Sequence, residues 1–257
     1  MNRLHRIALA CAGALTLAIT GAAMDSKLDI SNWKEILPEP AFTKLVDDSV
    51  KSLLLYTSSP SQFNQSGKKI QIEANNLIIY SEIALRSGNK SGAALRETAT
   101  ALLAAAKAKK GDDAKKLAGE LKTYKTAAAK SSDDGDLTKS TSIKLVMDGV
   151  KDIDKNLTQY KRLTTATLTA KGKAEEVTAA MYKLAAMSVA TTAHVPSEMP
   201  KGKTAKDWLS AAEDMRKHSL TAALAARDKK LTELKKAVND LSASCSKCHD
   251  DFRTESN

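Results

Sequence analysis

The chain has 257 residues, with 40 basic and 30 acidic side chains, 4% aromatic residues, 11 glycines and 5 prolines. Few aromatic residues, glycines and prolines, together with apolar residues at three- and four-residue spacing, predict helices and argue against a sheet-rich fold. Lysines and acidic residues alternate along the predicted helices. The net charge of +10 therefore indicates a solvated surface rather than a nucleic-acid site, and at most favours docking to an acidic partner.

The first 23 residues have the pattern of a secretory signal peptide. Arg3 and Arg6 supply a positive start, a short apolar run follows, and small residues then offer a cleavage site after Ala23. The apolar run is too short for a transmembrane anchor. We therefore expect an exported, periplasmic protein without stable membrane insertion, whose only remaining cysteines are Cys245 and Cys248.

Breaks in the apolar pattern divide the rest of the chain into about eight helices, four on each side of residues 131–135. The predicted breaks lie at residues 57–67, 87–92, 109–113, 131–136, 169–173, 194–206 and 227–228. Helices of this number and length, joined by short loops, are typical of antiparallel bundles.

The two sides of the chain contain matching segments in the same order. TKLVDDSVK (residues 43–51) and IKLVMDGVK (residues 143–151) share six of nine residues, and a weaker match follows at an offset of 105. At the far end, AAKSSDD (residues 128–134) lies over CSKCHDD (residues 245–251), at an offset of 117. This pattern predicts a tandem duplication of a four-helix unit, and so an all-α fold of two tandem antiparallel four-helix bundles.

The last predicted helix carries the sequence CSKCH, in which Cys245 and Cys248 are followed by His249. Both cysteines continue an apolar stripe formed by Leu231, Leu234, Val238, Leu241 and Phe252. We therefore expect both thiols, and His249 one turn after Cys245, to face the bundle interior. Two such thiols add across the two vinyl groups of a c-type haem, and the adjacent imidazole becomes an axial iron ligand. The motif thus predicts one covalently bound haem c.

Three other interpretations fit the motif less well. A zinc site needs two further ligands at suitable spacing, whereas His194 and His218 are isolated in the sequence. A thioredoxin-like dithiol normally lies where a strand meets a helix, and no strand pattern is present. The remaining alternative, two buried cysteines beside a core histidine, does not explain why an exported chain keeps its only cysteines at this spacing.

The segment ASCSKCHDDFR (residues 243–253), at the end of a four-helix unit, resembles the class II c-type cytochromes, the cytochrome c prime family. The resemblance covers residues 137–253, and reaches the earlier half only through the repeat. It implies a bundle whose first helix, residues 137–160, crosses the distal face of the haem. It also implies that Arg253 lies beside the proximal face or a haem propionate, although a surface cation near a helix C-terminus would be favoured by the helix dipole alone.

The sixth ligand of the iron decides which function the resemblance implies. Met147, on the apolar stripe of this first helix, resembles the distal ligand of the low-spin members, although the arginine they usually carry four residues earlier is Ile143 here. With Met147 distal and His249 proximal, we expect a non-enzymatic protein that transfers single electrons to a periplasmic redox partner. If Met147 only packs in the core, the alternative is a five-coordinate haem protein that binds NO or CO.

Other side chains compete for the distal position. His218 shares a predicted helix face with Trp208 and Met215, which allows bis-histidine ligation, although packing or exposure explains this residue equally well. His194 and Met199 lie in a long predicted loop, where nothing in the sequence fixes their geometry.

The first half of the chain lacks the haem-binding residues. In the repeat, Cys245, Cys248, His249 and Met147 lie over Ala128, Ser131, Ser132 and Asp47. We therefore predict a signal peptide at 1–23, a degenerate haem-less bundle at 24–132 and a haem-binding bundle at 136–257. The six aromatic residues of the haem-less bundle are hypothesised to fill the space of a porphyrin: Trp33, Phe42, Tyr56, Phe63, Tyr80 and Tyr124. A third interpretation makes this bundle a docking module for a partner, or for a second copy of the chain, since members of the family often form homodimers.

Overall fold

The structure, a computed structural model, describes residues 32–127 and 136–253. Its regular elements are all helices, with no β-strand in these two ranges, so the predicted all-α class is confirmed. The predicted signal peptide at residues 1–23 lies outside the described residues. We call residues 32–127 the first half and residues 136–253 the second half.

Each half contains four helices of ten or more residues, and shorter helices accompany them. In the first half the α-helices are α1 (Trp33–Ile36), α2 (Glu39–Tyr56), α3 (Pro60–Arg86), α4 (Ser91–Lys107) and α5 (Gly111–Glu120), followed by a 3-10 helix at Leu121–Thr123. In the second half they are α6 (Leu137–Ser140), α7 (Ile143–Lys161), α8 (Thr165–Thr169), α9 (Lys173–Ala193), α10 (Ala205–Arg227) and α11 (Leu231–Phe252). None of these helices is long and apolar enough to span a membrane.

Helix α3 begins earlier than the sequence predicts, because only three residues separate it from α2. The Ser59 side chain caps the helix by accepting a hydrogen bond from the backbone N–H of Gln62, at 3.3 Å. Pro60 lies in the first turn, where its missing N–H removes no helical hydrogen bond. Gly67 therefore lies inside the helix and does not end a break.

The helix contacts of the first half recur in the second half. Helix α3 packs on α2 and α4, and α4 packs on α5; in the same way α9 packs on α7 and α10, and α10 packs on α11. The first and last long helices also touch in each half, α2 with α5 and α7 with α11. Burial follows the repeat as well: Leu45 and Leu145 are both 7% exposed, and Val46 and Val146 are both 0% exposed. These contacts are those expected of a duplicated helical unit.

The turn before the last long helix sets the register of the repeat. Lys109 and Lys229 both have a φ of +56°, an uncommon conformation for a residue with a side chain, and each lies two residues before the helix begins. Further along, Leu121 and Leu241 are both fully buried. The offset is therefore 120 at these residues, and residues 128–134, for which the sequence alignment gives 117, lie outside the described residues.

This register changes the residue that corresponds to Cys245. An offset of 120, continued beyond Leu121, pairs Cys245 with Lys125, whereas the sequence alignment pairs it with Ala128; neither residue carries a thiol. Ala128, Ser131 and Ser132, which the sequence alignment paired with the motif, lie outside the described residues.

The two halves share one continuous hydrophobic core. Helix α3 packs against α7 and α9 of the second half in addition to its neighbours in the first. Buried residues of both halves belong to the same cluster, from Ile36 to Leu241. The division into two separate bundles therefore stays a prediction.

Candidate functional site

Four helix ends of the second half meet at one place, which we call the motif end. Trp208, at the start of α10, donates from Nε1 to the carbonyl oxygen of Thr191 near the end of α9, at 2.8 Å. Its ring meets that of Phe252, at the end of α11, edge to face at 5.3 Å between centroids. Nε2 of His194, directly after α9, lies 2.8 Å from Oγ1 of Thr141, just before α7. The motif end therefore combines the starts of α7 and α10 with the ends of α9 and α11.

The expectation that nothing fixes His194 is wrong. The Thr141 hydroxyl donates to the carbonyl oxygen of Leu137 at 2.6 Å, so it accepts from the Nε2–H of His194. Burial lowers the pKa of His194, against a smaller opposing effect of Asp136. The imidazole is thus a neutral link between the end of α9 and the segment before α7. Met199 is half buried in the loop between α9 and α10.

Cys245 and Cys248 are free thiols on α11, and both are half buried. Cys245 packs against the core, and burial raises its pKa to about 11, with a further contribution from the carboxylate of Asp154 on α7. Burial and then the nearby Asp251 raise the pKa of Cys248. Both sulfurs are therefore protonated at neutral pH.

His249 does not face the interior as the sequence analysis expects, because its side chain is exposed. It follows Cys248 by one residue, about 100° around the helix, which puts it at the edge of the apolar stripe. Its backbone carbonyl oxygen accepts a hydrogen bond from the N–H of Arg253 at 2.9 Å, and Arg253 is exposed too. The imidazole has no hydrogen-bond partner among the described residues, so both of its nitrogens are free to bind.

Met147 lies on the flank of α7 that faces α11. The carboxylate of Asp154 raises the pKa of Cys245 on α11, which indicates that Asp154 lies on this flank. Met147 lies seven residues before Asp154, nearly two helical turns, and is therefore on the same side of α7. Ile143, Met147 and Val150 on this flank are apolar but only half buried, like the cysteines opposite. A flat apolar group between α7 and α11 would cover both surfaces.

In the first half, the residues that correspond in sequence to Met147 and Cys245 form an ion pair. Asp47 and Lys125 are the corresponding residues at offsets of 100 and 120. Nζ of Lys125 lies 3.8 Å from Oδ2 of Asp47, across the contact between α2 and the end of the half. Lys125 lies in the turn after the 3-10 helix, whereas Cys245 lies within α11.

The corresponding end of the first half also holds two large aromatic side chains. Phe42 and Tyr124 are both buried and pack edge to face, with 6.1 Å between ring centroids. The same offsets place Ser142 and Ser244 at these positions in the second half. The hypothesis that such aromatic rings fill the space of a porphyrin stays a prediction.

The remaining candidate for the distal position is His218. His218 is half buried on α10, next to the fully buried Ser219. No group of three or more His, Cys, Asp or Glu side chains within 32–127 and 136–253 is placed to hold a metal ion.

The chain matches no protein-family model, no curated protein and no solved structure.

Proposed function

We propose that the protein is a monohaem c-type cytochrome, similar to those of class II, that transfers single electrons through a haem bound covalently at Cys245 and Cys248. The donor set at the motif end carries this proposal. Two free, protonated thiols lie one turn apart, beside an imidazole without a partner, on a helix that packs against α7, the helix that carries Met147. The two thiols can form the thioether bonds of a c-type haem, and the imidazole and the methionine can serve as its axial ligands. The half-buried apolar flank of α7 can cover its ring.

Each side chain has a distinct part in this proposal. Cys245 and Cys248 would hold the group, His249 would be the proximal iron ligand, and Met147 would be the distal ligand. A haem with His and Met ligands supplies one-electron chemistry at a raised potential. Arg253, exposed one turn after His249, offers its charge to a propionate. The apolar flank of α7 excludes water from the distal side.

The wider proposal follows from the same chain. We propose that residues 1–23 direct export to the periplasm, where a redox partner protein exchanges electrons with the haem and no substrate is turned over. We further propose that the two halves are duplicated four-helix bundles, of which the first binds no haem. The repeated helix contacts and the ion pair of Asp47 and Lys125 support this division.

Covalent attachment is the first test. The protein is produced in a bacterial periplasm that carries out c-type haem attachment, and the denatured chain is then weighed by mass spectrometry. We expect the mass of the chain plus one haem, and loss of that haem when Cys245→Ala and Cys248→Ala are combined. Ser244→Ala, a neighbouring change that keeps both thiols, is the control and should retain the haem. A wild-type chain without covalent haem would refute the proposal.

The ligand set is tested by the visible spectrum of the reduced protein, before and after adding carbon monoxide. We expect sharp low-spin bands that the gas does not change, and a Met147→Ala variant that binds the gas at once. Val150→Ala, on the same flank of α7, is the matched control and should stay unreactive. A wild-type protein that reacts immediately would remove Met147 as a ligand and make NO or CO binding the leading function.

A further inference from the structure

Helix α3 of the first half supports the start of helix α7 in the second half. Oδ1 of Asn75, a fully buried residue, accepts a hydrogen bond from the backbone N–H of Ser142 at 3.0 Å. Ser142 is the N-cap of α7 and provides no side-chain cap of its own. Because the first N–H groups of a helix lack helical partners, Asn75 supplies from the other half a hydrogen bond that α7 would otherwise miss.

The middle of α7 also lies directly on α3. At Gly149, an added Cβ would come within 3.2 Å of the side-chain oxygen of Asn76 and 3.3 Å of Cγ2 of Ile72. A side chain at this position would force those neighbouring side chains to shift by a few tenths of an ångström, so glycine keeps the two helices close. Beside this contact, Nζ of Lys68 on α3 lies 2.9 Å from Oδ2 of Asp148 on α7.

The contact with α3 and the methionine lie on opposite sides of α7. Gly149 follows Met147 by two residues, which is about 200° around the helix. Met147 is half buried on the side away from α3, and α7 packs on α11 as well as on α3. Helix α7 is thus held between α3 of the haem-less half and α11 of the motif.

We infer that the first half is a platform that holds α7, and with it Met147, against the haem site; this inference rests on the proposed function. Asn75 and Gly149 are positioning residues in this arrangement, since neither touches the haem site itself. Removing the contact that either residue makes between α3 and α7 would let α7 move away from α11. The iron would then lack its sixth ligand for part of the time. The haem-less half thereby sets whether the iron is closed to external gases.

Hydrogen exchange in the full chain without haem tests the platform directly. We expect the amides of α7 to exchange about tenfold faster in Asn75→Ala and in Gly149→Leu, since each removes a contact that keeps α7 closed. The amides of α10 should change less, because they exchange mainly when the whole molecule opens. Ser49→Ala is the matched control, because it removes a hydrogen bond of 2.7 Å that links α2 to Glu73 on α3 and leaves α7 alone. Lys68→Ala, at an exposed position, is a mild third variant if Gly149→Leu does not fold.

The same variants are then loaded with haem and mixed with carbon monoxide. We expect a larger gas-reactive fraction in Asn75→Ala and Gly149→Leu than in the wild type, and no increase in Ser49→Ala. Unchanged α7 exchange in every variant, or equal loosening by Ser49→Ala, would overturn the platform. If exchange responds as expected but the wild-type iron already binds the gas, the platform for α7 is supported and the assignment of Met147 as a ligand fails.

Discussion

At the scale of single residues, the position of each side chain on α11 determines its chemistry. The buried stripe of this helix ends at Leu241, so Cys245 and Cys248 lie where the helix leaves the core. Both sulfurs are shielded enough to stay protonated but remain half exposed to an incoming group. His249, one position further around, is exposed and free to bind. This combination suits the attachment of a large group at the edge of a helical bundle.

The first prediction concerns the reactivity of these thiols. Because the thiolate is the nucleophile, a pKa of about 11 lowers the reactive fraction of Cys245 roughly a hundredfold relative to an unperturbed cysteine. We expect iodoacetamide at pH 8 to modify the folded chain without haem slowly, with Cys245 slower than Cys248. Peptide mass spectrometry measures both rates, and the chain in urea gives the reference. Equal rates for Cys245 in the folded and unfolded chains would contradict its burial.

The sequence predicts the identity of the site residues better than their directions. Cys245 and Cys248 can be assigned to the apolar stripe because their spacing repeats that of Leu234, Val238 and Leu241. The exposure of His249 could not be predicted, because a residue at the edge of a stripe turns inward or outward according to its neighbours in space. The hydrogen bond between His194 and Thr141 joins residues 53 positions apart, and no local sequence pattern predicts it.

At the scale of helices, His194 makes the end of α9 sensitive to pH. Its neutral imidazole donates to Thr141, and burial keeps its pKa below the ordinary value near 6.5. Between pH 6.5 and the lowered pKa, His194 is therefore protonated in the unfolded chain but neutral in the folded chain. The corresponding stability is fully present above pH 6.5 and is lost as the pH falls from there toward the lowered pKa.

The second prediction follows from that sign. The free energy of unfolding, measured with urea between pH 7.5 and 5, should decrease as the pH falls, and His194→Gln should reduce the slope. Glutamine keeps an N–H donor toward Thr141 but does not titrate. Asp136 and Asp207, whose pKa values are lowered by hydrogen bonds with Thr138 and Thr204, act below about pH 4 and do not enter this window. An unchanged slope in the variant would show that another group is responsible.

The helices themselves could largely be predicted, because each follows from apolar spacing over ten or more residues. The errors lie at turns. Gly67 suggests a break, yet the cap at Ser59 and the proline that follows fix the start of α3 upstream of it. The register of the repeat at the last helices is set by the turns at Lys109 and Lys229. A positive φ is uncommon at lysine, so the sequence does not predict these turns.

At the scale of the whole molecule, α3 joins the two halves. It is the longest described helix, with 27 residues, and it contacts α7 and α9 as well as α2 and α4. The buried side chains it contributes belong to one cluster with those of the second half. A sequence repeat predicts two equal units with separate cores, but it carries no information about how the units pack on each other.

The third prediction is that the halves unfold together. Leu102 on α4 and Leu234 on α11 are fully buried, one in each half, and replacing either with alanine should cost about 2–5 kcal/mol. The chain has two tryptophans: Trp33 lies on α1 of the first half, which also contacts α9 and α10, and Trp208 lies in the second half. We expect both probes, isolated by Trp→Phe changes, to give one urea midpoint, and Leu102→Ala to lower the midpoint that Trp208 reports. A Trp208 midpoint unmoved by Leu102→Ala would mean that the halves unfold independently, and that α3 contributes little to holding α7 in place.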